Sequence, residues 1–257
     1  MFVLVPGHGG TAADFAYLAA AMGIDRDQAA VFDYRWAYPT TDVVLAAQRA
    51  PSADAADALN VAVAMLARDH ANIYLIGHSK GGAVLTELIS RWDAEPGLAV
   101  AAVRGAALLD PAIAAGGLGE LQRFGAVFDA VADNGGFDPI RCGWLTCSDI
   151  RANLGEASGV EVIAIRNPDA LVTNFRDEPD GLRVYDLDDL GPHPLDRPWD
   201  LPAVLSGIRR AHASVLLSDV VAACITAEAA SPGSCRWPGT ATGHPAGRGR
   251  PGGPLMV

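Results

Sequence analysis

The sequence predicts an α/β protein, with a mostly parallel sheet, helices on both faces and a small cap insertion. Three observations predict it. Short β-rich runs alternate with helix-patterned runs along most of the chain. The first run, Val3 to Val5, stops at the glycine-rich stretch Pro6-Gly7-His8-Gly9-Gly10. A third run, Ile73 to Ile76, leads straight into Gly77-His78-Ser79-Lys80-Gly81 and then a helix-like run, Ala83 to Trp92.

Taken in order, Val3 to Val5 reads as a strand ended by Pro6-Gly7. Ala12 to Met22 has helical spacing of Phe15, Leu18, Ala19 and Met22 and is closed by Gly23. Ala30 to Tyr34 reads as a second strand. Ala53 to His70 is Ala-rich and amphipathic, and Ser52 suits its cap. After the strand Ile73 to Ile76, Val100 to Leu109 is an apolar run stopped by Asp110-Pro111. Val160 to Ile165 and Leu182 to Leu187 read as further strands, and Val215 to Ala230 as the last helix. Segment 112–158 interrupts the alternation and carries Leu118, Leu121, Phe124, Val127, Phe128, Trp144 and Leu145. It reads as a lid over the strand ends or as a helical excursion with no gating role. Segment 231–257 is rich in Pro and Gly without apolar periodicity and is expected to be a disordered tail. The domain is thus expected over 1–230.

Composition limits the function classes. The chain has 257 residues, 50% hydrophobic, which suits one domain with a sizeable core. Its 19 Lys+Arg against 30 Asp+Glu give a net charge of −11. That balance argues against nucleic acid or an anionic membrane as partner. No apolar run in the sequence reaches the length needed to cross a bilayer. The N-terminus has no basic region or cleavage site, so a cytoplasmic protein is expected, or an exported one whose leader was removed. Four cysteines form two close pairs, Cys142/Cys147 and Cys224/Cys235, compatible with disulfides or with reduced thiols. No Cys/His spacing suits zinc and no phosphate-binding loop is present, so no cofactor is implied.

The chemistry centres on Ser79. Strand, tight turn and helix are what a nucleophile elbow needs, and Gly77 and Gly81 remove Cβ atoms that would collide at its apex. A serine hydroxyl then needs a base, a carboxylate to orient the base, and donors for the oxyanion. With Val3-Leu4-Val5-Pro6-Gly7-His8-Gly9-Gly10 in front of it, the chain resembles the α/β-hydrolase family, above all its small bacterial lipases and esterases. The resemblance implies that the backbone N–H groups of His8 and Lys80 form the oxyanion hole. Pro6 departs from the family's usual His, which proline allows only where its N–H is not needed.

The resemblance also orders the candidates for acid and base. Val162 to Val172 resembles the family's strand, short loop and Asp-x-x-Val, which favours Asp169 as the acid. Asp110 also ends a strand and is the alternative, unless it only caps a loop. His212, in His212-Ala213-Ser214-Val215-Leu216-Leu217-Ser218, resembles the His-x-x-x-Leu-Leu-Ser that opens the last helix of many such lipases. His193 follows the strand Leu182 to Leu187 by a short loop and is the alternative base. A helix started by Asp200-Leu201-Pro202 and running through 212 would make His212 an ordinary mid-helix residue.

The expectation is a serine hydrolase of the esterase or lipase class acting on a small, apolar acyl ester through a Ser-His-Asp triad. A thioesterase or acyltransferase working on a carrier-bound acyl chain is the first alternative, and a non-catalytic ligand-binding homologue the second.

Overall fold

The computed structural model describes residues 1–92, 97–112, 154, 159–170, 182–187, 196 and 199–238. Among the described residues, six strands make one sheet: β1 (Phe2–Val5), β2 (Ala29–Val31), β3 (Ile73–His78), β4 (Val103–Leu109), β5 (Glu161–Arg166) and β6 (Arg183–Asp186). Every pairing is parallel, and the order across the sheet is β2-β1-β3-β4-β5-β6. The central strands are apolar on both faces, as a doubly covered parallel sheet requires.

Period-two alternation sorts those side chains into two cores. Val3, Val5, Leu75, Ala106, Leu108, Val162 and Ala164 face one way. Against them lie α2 (Val43–Arg49), α3 (Ser52–Leu66), α4 (Lys80–Arg91) and α5 (Leu98–Ala102). Leu4, Tyr74, Ile76, Ala107, Leu109, Ile163 and Ile165 face the other way. They meet Phe15, Leu18 of α1 (Ala16–Ala21), and Val221, Ala222 and Ile225 of α7 (Asp219–Ala230). Each fully buried Leu or Ile contributes about 1.5–3 kcal/mol by leaving water.

Several elements differ from the sequence expectation. β2 stops at Val31, because the Asp33 carboxylate accepts from Arg35 N–H at 2.9 Å and starts a 3-10 turn over Tyr34–Trp36. Helix α2 was not expected; Asp42 starts it by accepting from the N–H groups of Val44 and Leu45 at 2.9 and 3.1 Å. Helix α3 begins at Ser52, which is buried inside its first turn, and ends at Leu66. Val100 to Ala102 belong to α5, so β4 begins only at Val103. The stretch near His212 is two helices, α6 (Leu201–Ser214) and α7. Together they span a length and apolarity that would suit a membrane, but the turn at 215–218 breaks them and α7 packs into the core.

Residues 231–238, expected to begin the tail, are tied to the domain. A Cys224–Cys235 disulfide holds them to α7. Trp237 donates from Nε1 to the Asp186 carbonyl at 2.9 Å and lies on the Tyr185 ring. The segment 113–153, the bulk of the expected cap, lies outside the described residues, as do Cys142, Cys147 and residues 239–257.

Candidate active site

The elbow forms where β3 ends. Ser79 has φ 54° and ψ −120°, a conformation that a side-chain-bearing residue holds only under constraint. Its N–H donates to the Leu109 carbonyl at 2.9 Å, and its carbonyl accepts from Ala112 at 3.1 Å. Close approach leaves no room for side chains beside it. A Cβ on Gly81 would lie 2.0 Å from the Val5 carbonyl oxygen, and one on Gly77 would lie 2.6 Å from that of Gly81. Helix α4 starts at Lys80, whose N–H is one of the first-turn donors that no intrahelical carbonyl can take.

Asp110 is the other described non-glycine residue at positive φ, at 40°. The register pairs His78 with Leu109, so Ser79 and Asp110 follow neighbouring strand ends. Asp110 is fully buried. Its Oδ1 accepts from the Asn167 N–H at 2.8 Å, and its Oδ2 faces His212 Nδ1 at 3.4 Å. That separation exceeds an N–H···O hydrogen bond, and among the described residues neither atom has another hydrogen-bond partner. Catalytic hydrogen bonds are often this long until substrate binds.

Burial pushes the Asp110 carboxyl well above the usual carboxylate range, against the pull of the Asn167 N–H and of Arg166. Burial also lowers His212 to about 4. An ion pair would shift each group the opposite way; desolvation of both is the stronger effect here. The imidazole is therefore unprotonated at neutral pH, as a general base must be.

Two neighbours fix His212. His78, next to the serine, lies against its ring with centroids 4.5 Å apart, and His78 Nε2 is 3.1 Å from the His212 carbonyl oxygen. A carbonyl only accepts, so that nitrogen carries the hydrogen. Burial, then the proximity of His212, lowers His78 to about 3, which keeps it neutral. Asn167 joins the acid to the same helix. Its N–H bonds Asp110, while its Nδ2 donates to Ser214 Oγ at 2.9 Å in the last turn of α6.

The predicted site residues fall as follows. Ser79 is at the elbow, and the carboxyl that faces His212 is that of Asp110, the alternative, while Asp169 lies in a separate turn. Asp169 sits in the 3-10 turn Pro168–Ala170 after β5, and its N–H donates to Asn167 Oδ1 at 2.9 Å. The helix from Asp200 does run through 212, yet His212 lies in its last turn, beside the strand ends, and is no ordinary mid-helix residue. His193 lies outside the described residues. His8 follows β1 in a loop closed by Gly10 N–H to the Gly7 carbonyl at 3.0 Å. Burial, then the charge of Lys80, lowers His8 to about 4. Pro6, the departure from the family pattern, is used through its carbonyl, which accepts from Tyr34 Oη at 2.7 Å. Nothing in the sequence assigns a role to Asn167 or Tyr34. The one signal for Asn167 is its place between β5 and Pro168. Among the described residues, no three His, Cys, Asp or Glu converge where they could hold a metal ion.

No protein-family model and no curated protein matches the sequence. Solved structures resemble it in fold. Naproxen esterase from Bacillus subtilis is 12% identical, with 81% of this chain and 82% of that one covered and a TM-score of 0.46. A monoacylglycerol lipase from Paleococcus ferrophilus is 12% identical, covering 85% and 94%, at 0.45. The NocB thioesterase domain from the nocardicin cluster is 20% identical, covering 82% and 92%, at 0.39. At such scores the weight stays on the parallel strand order and on a serine elbow after the central strand β3.

Proposed function

We propose that this chain, an α/β-hydrolase by its strand order and elbow, is a serine hydrolase that cleaves an acyl ester through an acyl-enzyme. The observation that carries this reading is the His212–Asp110 pair, 3.4 Å apart, at the strand ends beside the strained Ser79. In this reading Ser79 Oγ attacks the ester carbonyl while His212 Nε2 takes its proton. The Nδ1–H of His212 points to Asp110 Oδ2, which orients the ring and stabilises the imidazolium as it forms. The backbone N–H groups of His8 and Lys80 stabilise the tetrahedral oxyanion. His212 then hands its proton to the leaving alcohol, and water repeats the sequence in reverse to free the acid. Asp110 and His212 are both largely shielded from water, so charge developing between them is felt strongly.

The acyl group is expected to be apolar, and the chemistry asks for no cofactor. The Cys224–Cys235 disulfide supports an exported protein over a cytoplasmic one, because such bonds persist in oxidising compartments. The test is fluorophosphonate labelling: the wild-type chain labels, and Ser79→Ala does not. Labelling of Ser79→Ala at the full rate overturns the assignment. A chain-length series of nitrophenyl esters beside acyl-thioesters then identifies the leaving group and the acyl length.

A further inference from the structure

The side chain of Lys80 runs away from the elbow into the protein. It is 2% exposed. Its Nζ donates to the carbonyls of Ala47 at 2.7 Å and Ala50 at 2.6 Å, with that of Gln48 at 3.5 Å. These are the carbonyls that helix α2 leaves unpaired where it ends. Three carbonyl oxygens around one nitrogen call for three donors, which the ammonium has and the neutral amine lacks. The ammonium also stands 5.1 Å from the centroid of the Tyr34 ring.

Both of those supports touch the loop after β1. Tyr34 donates from its hydroxyl to the Pro6 carbonyl at 2.7 Å; burial pushes its pKa far up, so the hydroxyl keeps its proton. Gln48 packs on Gly9, where a Cβ would come within 3.2 Å of its Nε2. One side chain therefore fastens the head of α4 to the two groups that hold residues 6–9. An ammonium is costly to bury unless hydrogen-bonded. Lys80 spends its donors on joining two elements whose spacing matters.

We propose that the Lys80 side chain is a positioning residue: it sets the spacing between the His8 and Lys80 N–H groups that receive the oxyanion. This rests on Ser79 being the nucleophile. The two N–H groups come from different elements, and oxyanion stabilisation depends on both aiming at one point. Lys80 supplies one of them through its backbone and steadies the other through its ammonium.

The test compares Lys80→Met and Tyr34→Phe with the wild-type chain, by hydrogen exchange and by ester hydrolysis. In Lys80→Met the Gly10 amide and the amides of 43–50 exchange at least tenfold faster, while those of α6 do not change. The kcat falls by about 100-fold, as for a misplaced catalytic group, and KM stays within about threefold. Tyr34→Phe changes the loop exchange and kcat in the same sense, severalfold, and it serves alone if Lys80→Met does not fold. Unchanged exchange at residues 6–10 in folded variants overturns the brace whatever kcat does, and leaves the hydrolase reading standing. Faster exchange in a chain whose wild type neither labels nor hydrolyses supports the brace and removes the hydrolase reading.

Discussion

Two buried carboxylates divide this molecule into a part that is satisfied and a part that is not. Glu228, on α7, is 2% exposed and receives four hydrogen bonds. Arg183 donates from both terminal nitrogens at 2.6 and 2.8 Å, and the N–H groups of Gly233 and Cys235 add bonds at 2.9 and 2.8 Å. Burial opposes its charge, but the Arg183 bonds and then the two N–H groups outweigh that and hold its carboxyl below the usual range. Asp110, at the end of β4, has one short hydrogen bond, a positive φ and a partner 3.4 Å away. Burial prevails there and its carboxyl is pushed up. The same chemical group is a fastener where its oxygens are filled. Where one oxygen is left facing an imidazole, the proposed reaction gives it a charge to stabilise, one that appears only as His212 takes up a proton.

The largest expected effect breaks the comparison at Asp110. Asp110→Asn keeps the bond from the Asn167 N–H but replaces the carboxyl that, in the proposed reaction, orients His212 and stabilises the charge forming on it. It is expected to lower kcat by about 10,000-fold, with a Tm close to the wild-type value, since the amide fills the same space. Asp169→Asn is the control and is expected to stay within about threefold in kcat. If the two results are exchanged, Asp169 is the acid and the Asp110 pair is a packing contact.

Glu228→Ala tests the other side. It strands Arg183 and frees two N–H groups, and should cost about 3 kcal/mol of stability, the low end for a broken buried pair because Arg183 is still 30% exposed. Denaturant unfolding measures it, while kcat per folded molecule stays at the wild-type value. A loss of kcat at full stability would mean that the two carboxylates do not divide as described. The disulfide adds a smaller term on the same side. It closes a loop of 11 residues in sequence separation, so replacing Cys224 and Cys235 by serine should cost about 2–3 kcal/mol. Turnover at 25 °C should not change.

The fold was readable because its signals are local and repeated. Runs such as Ile73 to Ile76 and Val162 to Ile165 are short, rich in β-branched residues and apolar on both faces, as covered strands are. The elbow was readable because close packing forces glycine at 77 and 81. Which carboxyl faces His212 was not, since Asp110-Pro111 and Asn167-Pro168-Asp169 look alike as strand endings. What separates them is which carboxylate α6 brings its last turn to, a contact between residues 102 apart in sequence (212 − 110). Helix α2 was missed because Val43 to Arg49 is short and its start is set by one Asp42 side chain. Likewise, nothing local marks Glu228 as buried; its donors come from the return of the chain at 233–235 and from β6.

The smallest effect is a matter of pH, and it asks whether Asp110 is held protonated or ionised beside its partner. His212 titrates at about 4 when folded against 6.5 when exposed, because burial disfavours its charged form. The base is then ready down to low pH, so the acid limb of kcat/KM should centre at about 4, well below 6.5. Between those values the unfolded chain binds the extra proton. The contribution of His212 to stability is therefore complete above 6.5 and is lost as pH falls towards 4. His78, lowered to about 3, and His8, lowered to about 4, act in the same direction, while Asp110, raised by burial, gains stability as pH falls; with three groups against one, Tm should still drop over the same window. Calorimetry from pH 7 to 4 and a rate profile on a neutral ester read the two together. A limb centred above 7 would mean that Asp110 is ionised and holds a proton on His212 in the resting protein. Asp110 would then behave as Glu228 does towards Arg183, as a carboxylate already filled, and the distinction between the two would collapse.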